Sequence, residues 1–194
     1  MVEKMFFRKN LSSKEVYDFL TAYLEKHCSE YCEEKANYDE CVVALSSNFA
    51  EGQQLIEAHI KRIVFSAGFA YEFGQHAACR SEHFIKQEPE VFLQEAQMLS
   101  EPESVDITNT IRKITVKLTR ADEKIYEKIL EFYALLDTYI PKLAHYLGYM
   151  HEVALRKQND INFTENEQLT TEYTEWLSEY LELDLKAVIL DVNA

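Results

Sequence analysis

The sequence predicts an all-α protein, an irregular bundle of five to seven helices in a single domain spanning residues 1–194. Three observations predict this fold class. The chain has only four glycines and three prolines, too few for a loop-rich sandwich, a dinucleotide-binding fold or a phosphate-binding-loop protein. Its apolar residues recur at spacings of three and four, the period of an amphipathic helix. With 47% apolar and 12% aromatic residues, the chain can fill a sizeable core and is not a disordered tail.

The first helix is predicted to begin after Ser12, because Ser12 and Glu15 have the form of a capping box. It should extend to about residue 34. A second helical stretch is predicted from about residue 39 to residue 86, with a candidate interruption at residues 46–52. Its apolar surface covers a wide arc, so this helix is expected to lie at the centre of the bundle.

The second half of the chain predicts three further helices before its acidic end. A short helix should follow Pro89, since proline suits the first helical turn. Residues 101–118 are rich in Ile, Thr and Val, so a strand is the alternative, but the apolar spacing favours a helix. The longest pattern covers residues 122–158. Pro141 lies inside this pattern and is expected to kink the helix rather than end it, because the periodicity continues beyond it.

Part of the chain aligns with itself at a constant offset of 80 residues. The alignment suggests an internal duplication, with repeat units at residues 12–86 and 101–158. Gly68 in the first unit aligns with Gly148 in the second. Since a glycine inside a helix costs about 1 kcal/mol relative to alanine, a glycine in both units suggests that another backbone approaches closely there. The alternative is a coincidence between two buried helices, which share apolar spacing in any case.

Both candidate repeat units contain a glycine followed by an aromatic residue, at Gly68-Phe69 and at Gly148-Tyr149. The surrounding segments resemble the end of a small helical-hairpin domain of unknown function that occurs in Firmicutes and in their phages and mobile elements. The second copy departs from that pattern, because Ala154 stands where the first copy has Gly74. The resemblance implies an accessory protein of a bacterium or mobile element, and it implies no catalytic residues.

Cysteine and histidine residues are the candidates for a metal or ligand site. Cys28 and Cys32 are four residues apart, on one face of the predicted first helix, but a structural zinc site needs a second close pair. Small, half-buried apolar residues are the alternative interpretation. No Glu is followed by His at the third position, which argues against a di-iron bundle. A helical hydrolase remains open beside the simpler interpretation of structural histidines, and its residues would be Glu72, His76, His145 and His151.

The sequence contains no glycine-rich phosphate loop, nucleophile elbow or zinc-protease motif. We therefore expect no enzymatic activity, no cofactor and no metal. No stretch approaches the length of a membrane span, and the apolar run at the N-terminus is too short for a signal peptide. A cytoplasmic protein with reduced cysteines is the corresponding expectation.

The charge of the chain is strongly acidic and unevenly distributed. Acidic residues number 34 and basic residues 20, for a net charge of −14. Residues 87–106 contain six acids and no base, and residues 160–194 contain nine acids and one base. Such a chain is poorly suited to bind nucleic acid or an anionic membrane directly. The one basic stretch is expected to pair within the protein or between subunits, with phosphate binding as the alternative, and it consists of Arg112, Lys113, Lys117, Arg120, Lys124 and Lys128.

The last acidic segment is predicted to form a helix over residues 165–184, with a stripe of glutamates at spacings of three and four. The stripe borders the face of Tyr173, Trp176 and Tyr180, and its carboxylates are about 5 Å apart along the axis, comparable to the phosphates of a nucleic-acid strand. A solvated face that keeps the protein soluble is the alternative. The candidate partner-binding residues of both acidic segments are Glu101, Glu103, Asp106, Glu165, Glu167, Glu172, Glu175, Glu179, Glu182 and Asp184.

These observations favour a non-enzymatic interaction protein whose acidic surface binds a protein partner with a basic surface. In its sharper form, the hypothesis is an inhibitor from a phage or mobile element that imitates nucleic acid, as anti-CRISPR proteins can. Two other classes stay open. One is a bacterial helical protein that holds a small ligand or a metal, and the other is a homo-oligomeric scaffold in which the basic stretch pairs with an acidic segment of a neighbour.

Overall fold

The computed structural model describes residues 10–79, 102–158 and 166–186. This part of the chain forms helices and no strand, which confirms the all-α prediction, including a helix rather than a strand before residue 116. The short helix predicted after Pro89 and the apolar end at residues 187–190 lie outside the described residues. The helices are α1 (Ser13–His27), α2 (Ser29–Asn48), α3 (Gly52–Cys79), α4 (Pro102–Thr115), α5 (Arg120–Gln158) and α6 (Asn166–Leu181).

Two reciprocal side-chain caps fix the starts of α1 and α5. At α1, the Ser12 N–H donates to Glu15 Oε2 at 2.8 Å and the Glu15 N–H donates to Ser12 Oγ at 3.3 Å, as the capping box predicts. At α5, the Thr119 N–H donates to Asp122 Oδ2 at 3.2 Å and the Asp122 N–H donates to Thr119 Oγ1 at 3.3 Å. A side-chain cap of this kind stabilises a helix by about 1 kcal/mol.

The first predicted helix is divided at Cys28, so its prediction as one continuous helix to residue 34 was wrong. Cys28 has extended backbone angles (φ −122°, ψ 106°), and its N–H donates to the Leu24 carbonyl at 2.8 Å, which ends α1. The bend lets α2 turn towards α5, where Tyr31 packs on Phe132 with ring centroids 5.5 Å apart. As a consequence the two thiols expected on one face are separated, with Cys28 buried and Cys32 exposed.

The break between α2 and α3 falls inside the interruption that the sequence predicts. The Phe49 N–H donates to the Leu45 carbonyl at 2.9 Å and the Gly52 N–H donates to the Phe49 carbonyl at 2.9 Å. A Cβ atom built at Gly52 would lie 2.7 Å from the Leu45 carbonyl oxygen. This short connection therefore requires a glycine, because any larger side chain would push the two helices apart.

Helices α3 and α5 form the centre of the bundle and run in the same direction. The Arg62 guanidinium of α3 donates to Asp137 Oδ2 of α5 at 2.6 Å. Further along, Gly148 of α5 packs against the backbone of Tyr71 on α3. Gly68, its partner in the proposed duplication, packs instead against Ser13 of α1. Another helix thus approaches closely at both glycines, but the contacting residues differ. The duplication itself stays a prediction.

The remaining helices are attached to this central pair. Helix α4 runs antiparallel to α3, and Lys117 just beyond its end reaches Glu51 at 2.7 Å. Helix α5 contains 39 residues and continues through the buried Pro141, as predicted, so it is about 58 Å long. Helix α6 packs on the C-terminal half of α5, about 20 Å or more along the axis from the first turns of α5.

Candidate partner-binding face on helix α6

The buried Tyr173 is a main contact between α6 and α5. The ring of Tyr173 meets the rings of Tyr146 and Tyr149 edge-on, with centroids 5.5 and 5.4 Å apart. Its hydroxyl lies 2.8 Å from His145 Nδ1. Beside it, the hydroxyl groups of Tyr146 and Thr174 lie 3.0 Å apart. These hydrogen bonds and ring contacts fix the rotation of α6, and therefore fix which of its residues face solvent.

The glutamate stripe lies on the side of α6 opposite to its buried residues. Helical residues are about 100° apart around the axis, so the three stripe residues within α6, which are Glu172, Glu175 and Glu179, cover an arc of about 60°. The buried residues Tyr173, Leu177 and Leu181 cover the opposite arc. All four stripe residues are exposed, as predicted, and they are Glu172, Glu175, Glu179 and Glu182.

Two aromatic side chains separate the stripe from the buried side of α6. Trp176 is 38% exposed and Tyr180 is 50% exposed, although the sequence placed them on the same face as the buried Tyr173. Their rings are stacked with centroids 5.6 Å apart and an angle of 25° between planes. We call the four glutamates together with Trp176 and Tyr180 the acidic–aromatic face.

Each of the two exposed rings also contacts another group of the protein. The Trp176 ring stacks on the buried Tyr173 ring at 6.1 Å and 21°. At the other end, Lys142 Nζ of α5 lies 5.4 Å from the centroid of the Tyr180 ring. The rings are therefore ordered before any partner arrives, which lowers the entropy lost on binding.

The electrostatics of α6 are unfavourable for the isolated helix. Its last turn contains no basic residue, so the negative end of the helix dipole meets carboxylates rather than cations. Glu175, Glu179 and Glu182 make no ion pair within the described part of the chain. Like charges at these spacings cost a few tenths of a kcal/mol per pair. A basic partner would relieve this repulsion.

Glu182 occupies a backbone position that usually requires glycine. It follows the last residue of α6 and has a positive φ of 54°. The Leu183 N–H donates to the Ser178 carbonyl at 3.1 Å and the Glu182 N–H donates to the Glu179 carbonyl at 3.4 Å. These two bonds form the helix-ending motif in which glycine is preferred, since left-handed backbone strains other side chains. The acidic–aromatic face thus carries a carboxylate where both backbone and dipole disfavour one.

Three further candidate residues near α6 do not belong to the acidic–aromatic face. Asp184 is exposed, and its Oδ1 accepts the Lys186 N–H at 3.1 Å. Its carbonyl accepts the Tyr23 hydroxyl at 3.0 Å, which ties the end of α6 to α1. Glu167 lies within α6, whereas Glu165 lies outside the described residues.

The described residues of the first acidic segment lie on another part of the bundle. Glu103 and Asp106 are exposed on α4 and line a groove of about 660 Å³ between α3 and α4. Glu57 and Lys61 line the opposite wall. Glu101 lies outside the described residues. The described residues of the two acidic segments thus lie on helices that pack on different central helices, since α4 packs on α3 whereas α6 packs on α5.

The basic stretch lies around the turn from α4 to α5. Lys117 pairs with Glu51. The other five residues are exposed and make no ion pair within the described ranges. Internal pairing of this stretch, one of the two outcomes expected from the sequence, thus occurs at one of its six positions among the residues described.

Histidines that suggested a ligand site form buried pairs with tyrosines instead. His59 is 6% exposed and its Nε2 lies 2.5 Å from the Tyr126 hydroxyl. Burial, with a smaller effect from Arg62, lowers the pKa of His59 to about 4. Burial also lowers the pKa of His145 to about 4. His151 likewise meets the Tyr71 hydroxyl through Nδ1. The imidazoles of His59 and His145 therefore serve as neutral hydrogen-bonding groups of the core at pH 7.

The hydrolase residues considered from the sequence do not come together in one site. His145 and His151 lie inside the bundle, whereas Glu72 and His76 are exposed on α3. Within residues 10–79, 102–158 and 166–186, no group of three or more His, Cys, Asp or Glu side chains is placed to hold a metal ion. In the same part of the chain, no helix has the length and apolar character needed to cross a membrane.

Comparison of the chain with protein-family models, with curated proteins and with solved structures yields no match. The resemblance to the helical-hairpin domain therefore stays a prediction from the sequence.

Proposed function

We propose that the protein is a non-enzymatic interaction protein whose acidic–aromatic face binds the basic surface of a nucleic-acid-binding protein. The observation that carries this proposal is the exposed row of glutamates beside two exposed, stacked aromatic rings on a helix that packs on α5. Exposed aromatic side chains are enriched at protein interfaces, where they supply contact area. A solvated face needs carboxylates only, so the exposed indole and phenol rings support the interpretation as a binding face.

The strained position of Glu182 supports the same proposal. Replacing glycine by glutamate at a left-handed position costs about 1–2 kcal/mol. Strained residues cluster at sites where a function compensates for the cost. The Glu182 carboxylate extends the row of glutamates at the end of α6. Contact between this carboxylate and a basic partner would compensate for the strain.

In its sharper form, we propose that the protein is an inhibitor from a phage or mobile element. The glutamate row would occupy a groove that normally holds phosphates, and the two rings would lie where bases lie. Competition with nucleic acid would then require no catalytic group on this chain.

A competition experiment with a purified RNA-guided nuclease tests this form. We expect the protein to reduce binding and cleavage of a labelled target DNA, and the effect to weaken as salt rises, because the contacts are ionic. A fourfold Glu→Gln variant at positions 172, 175, 179 and 182 should lose the inhibition. A control variant with the same charge change at the exposed Glu33, Glu40, Glu127 and Glu131 should keep it. Unchanged DNA binding and cleavage at every protein ratio would contradict the proposal.

A homo-oligomeric scaffold is the second candidate, favoured by the distance between the basic stretch and the acidic–aromatic face. Lys128 and Lys142 are about 21 Å apart along α5, so the two charged regions are too far apart to pair within one molecule. Pairing between two copies would join them. Sedimentation at low and high salt decides the question, since a monomer under both conditions would remove this candidate.

A further inference from the structure

Lys142 of α5 is a buried cation that contacts the acidic–aromatic face from inside the protein. It is only 5% exposed, although lysine is almost never buried unless its ammonium has partners. The Thr138 carbonyl accepts a hydrogen bond from Lys142 Nζ at 3.1 Å, and the centroid of the Tyr180 ring lies 5.4 Å from the same atom. The ammonium therefore connects the backbone of α5 to an exposed ring of α6.

The residue before this lysine interrupts the backbone hydrogen bonding of α5. Pro141 has no N–H, so the Asp137 carbonyl four residues earlier lacks its usual helical donor. Turns that contain a proline are places where a side chain can enter the ladder of backbone bonds. Lys142 Nζ bonds to the next carbonyl, that of Thr138, so the ammonium is tied to the proline-containing turn.

The Tyr180 ring is held by two neighbours, although it is 50% exposed. It stacks on the Trp176 ring, and the Lys142 ammonium lies inside the range of about 6 Å over which a cation is attracted to an aromatic ring. A side chain that is already ordered loses less conformational freedom when a partner binds. Lys142 can thus affect binding without contacting the partner.

We propose that Lys142 is a positioning residue of the acidic–aromatic face, whose ammonium holds the Tyr180 ring in the orientation that a basic partner meets. The inference rests on the proposed function, because it concerns partner binding at the same face. It predicts the opposite of what charge alone predicts. Removing a cation makes the protein more negative and favours a basic partner, whereas releasing the Tyr180 ring weakens binding.

Lys142→Met tests the inference on the full chain, because methionine keeps an unbranched, flexible side chain and removes the ammonium. The probe is a dye-labelled nona-lysine peptide, and fluorescence anisotropy measures its affinity. We expect the variant to bind about 2- to 10-fold more weakly than wild type, the ratio that corresponds to ordering one side chain. Lys128→Met makes the same charge change at an exposed position of α5 and should bind at least as tightly as wild type.

Variants of Tyr180 show whether Lys142 acts through the ring. In Tyr180→Leu the ammonium has no ring to hold, so adding Lys142→Met should not weaken binding further. In Tyr180→Phe the ring remains, so adding Lys142→Met should weaken binding by the same ratio as in wild type. A general structural role of Lys142 would weaken binding equally in all three backgrounds. Circular dichroism checks that each variant folds.

The outcomes distinguish this inference from the proposed function. Binding by Lys142→Met that equals or exceeds that of wild type would overturn the positioning role, and so would an equal loss in the Tyr180→Leu background. In both cases, loss of peptide binding in the fourfold Gln variant would leave an acidic binding face. If Lys142→Met does not fold, Tyr180→Leu decides alone, since an unchanged affinity there would overturn the inference. Peptide binding that is the same in wild type and in the fourfold Gln variant would overturn both.

Discussion

Gly148 of α5 packs directly against the backbone carbonyl of Tyr71 on α3. The contact brings two helix backbones together where the central pair of the bundle meets. Gly74 makes the converse contact with the carbonyl of His145. Two glycines on facing helices thus set the distance between α3 and α5, and with it the position of α6.

Gly148→Ala should therefore destabilise the protein even though alanine is the better helix former. The added methyl group would collide with backbone, which cannot rotate away, and we expect a loss of about 1–3 kcal/mol. Chemical denaturation measures this loss. Gly68→Ala is a useful comparison, because its main obstacle is the side chain of Ser13, and a second change, Ser13→Gly, should recover part of its loss. Equal stability of wild type and Gly148→Ala would contradict the close approach.

Acid should destabilise the fold through His59 and His145. Their pKa values of about 4 in the folded protein are lower than the 6.5 of an unfolded histidine, so folding favours the neutral imidazole. This stabilisation is complete above pH 6.5 and is lost as the pH falls towards 4. At about 1.4 kcal/mol per pKa unit, the loss at His59 is of the order of 3 kcal/mol.

Unfolding by urea between pH 7.5 and pH 4 measures this effect. In His59→Gln, the free energy of unfolding should depend less on pH over this interval than in wild type. His76→Gln, at an exposed position of α3, is the matched control and should retain the wild-type profile. If His59→Gln also retains that profile, His59 does not contribute to the acid sensitivity.

Tyr173→Ala should loosen α6 before the rest of the bundle unfolds. Loss of a large buried side chain costs about 3–5 kcal/mol, and here the loss concerns the residue that anchors α6 on α5. Trp176 fluorescence reports on α6, whereas far-ultraviolet circular dichroism reports on all helices. In the variant we expect the fluorescence transition at lower denaturant concentration than the dichroism transition. Coincident transitions would show that Tyr173 is not a separate anchor.

Glu182→Gly should stabilise the protein and weaken its binding to a basic partner. Glycine relieves the left-handed backbone and removes a negative charge at the helix end, so we expect a gain of about 1 kcal/mol. Glu182→Gln isolates the charge, because glutamine keeps the side-chain size. Thermal unfolding gives the stability, and peptide titration gives the affinity. A Glu182→Gly variant that is less stable than wild type would contradict the interpretation that the backbone at Glu182 is strained.

The sequence predicts most of the helices because their signals are local. The capping box at Ser12 and the period of three and four in α5 need no tertiary information, and Pro141 fails to end α5 because the apolar period continues beyond it. The break at Cys28 could not be predicted, since neither glycine nor proline marks it. It follows from the packing of Tyr31 on Phe132, a contact between distant parts of the chain.

The candidate site, too, could be predicted from the sequence only in part. The exposed glutamate stripe follows from helical spacing alone. The exposure of Trp176 does not, because the sequence places it with Tyr173 on one apolar face. The rotation of α6 is fixed by tertiary contacts such as those of Tyr173 with Tyr146 and Tyr149, and that rotation turns Trp176 outward. A row of apolar residues can thus contain both an anchor and an exposed ring.

The length of α5 has an electrical consequence. Its first turns carry exposed cations, while its far half holds α6 with its exposed carboxylates, about 20–35 Å away along the axis. Within the described residues, exposed cations therefore lie towards one end of α5 and the exposed carboxylates of α6 lie towards the other, although Glu123, Glu127 and Glu131 are interspersed among the cations. We expect the field of a basic partner to attract the α6 end and to turn it forward during approach. Orientation before contact would then raise the rate of association, independently of how tightly the two surfaces finally bind.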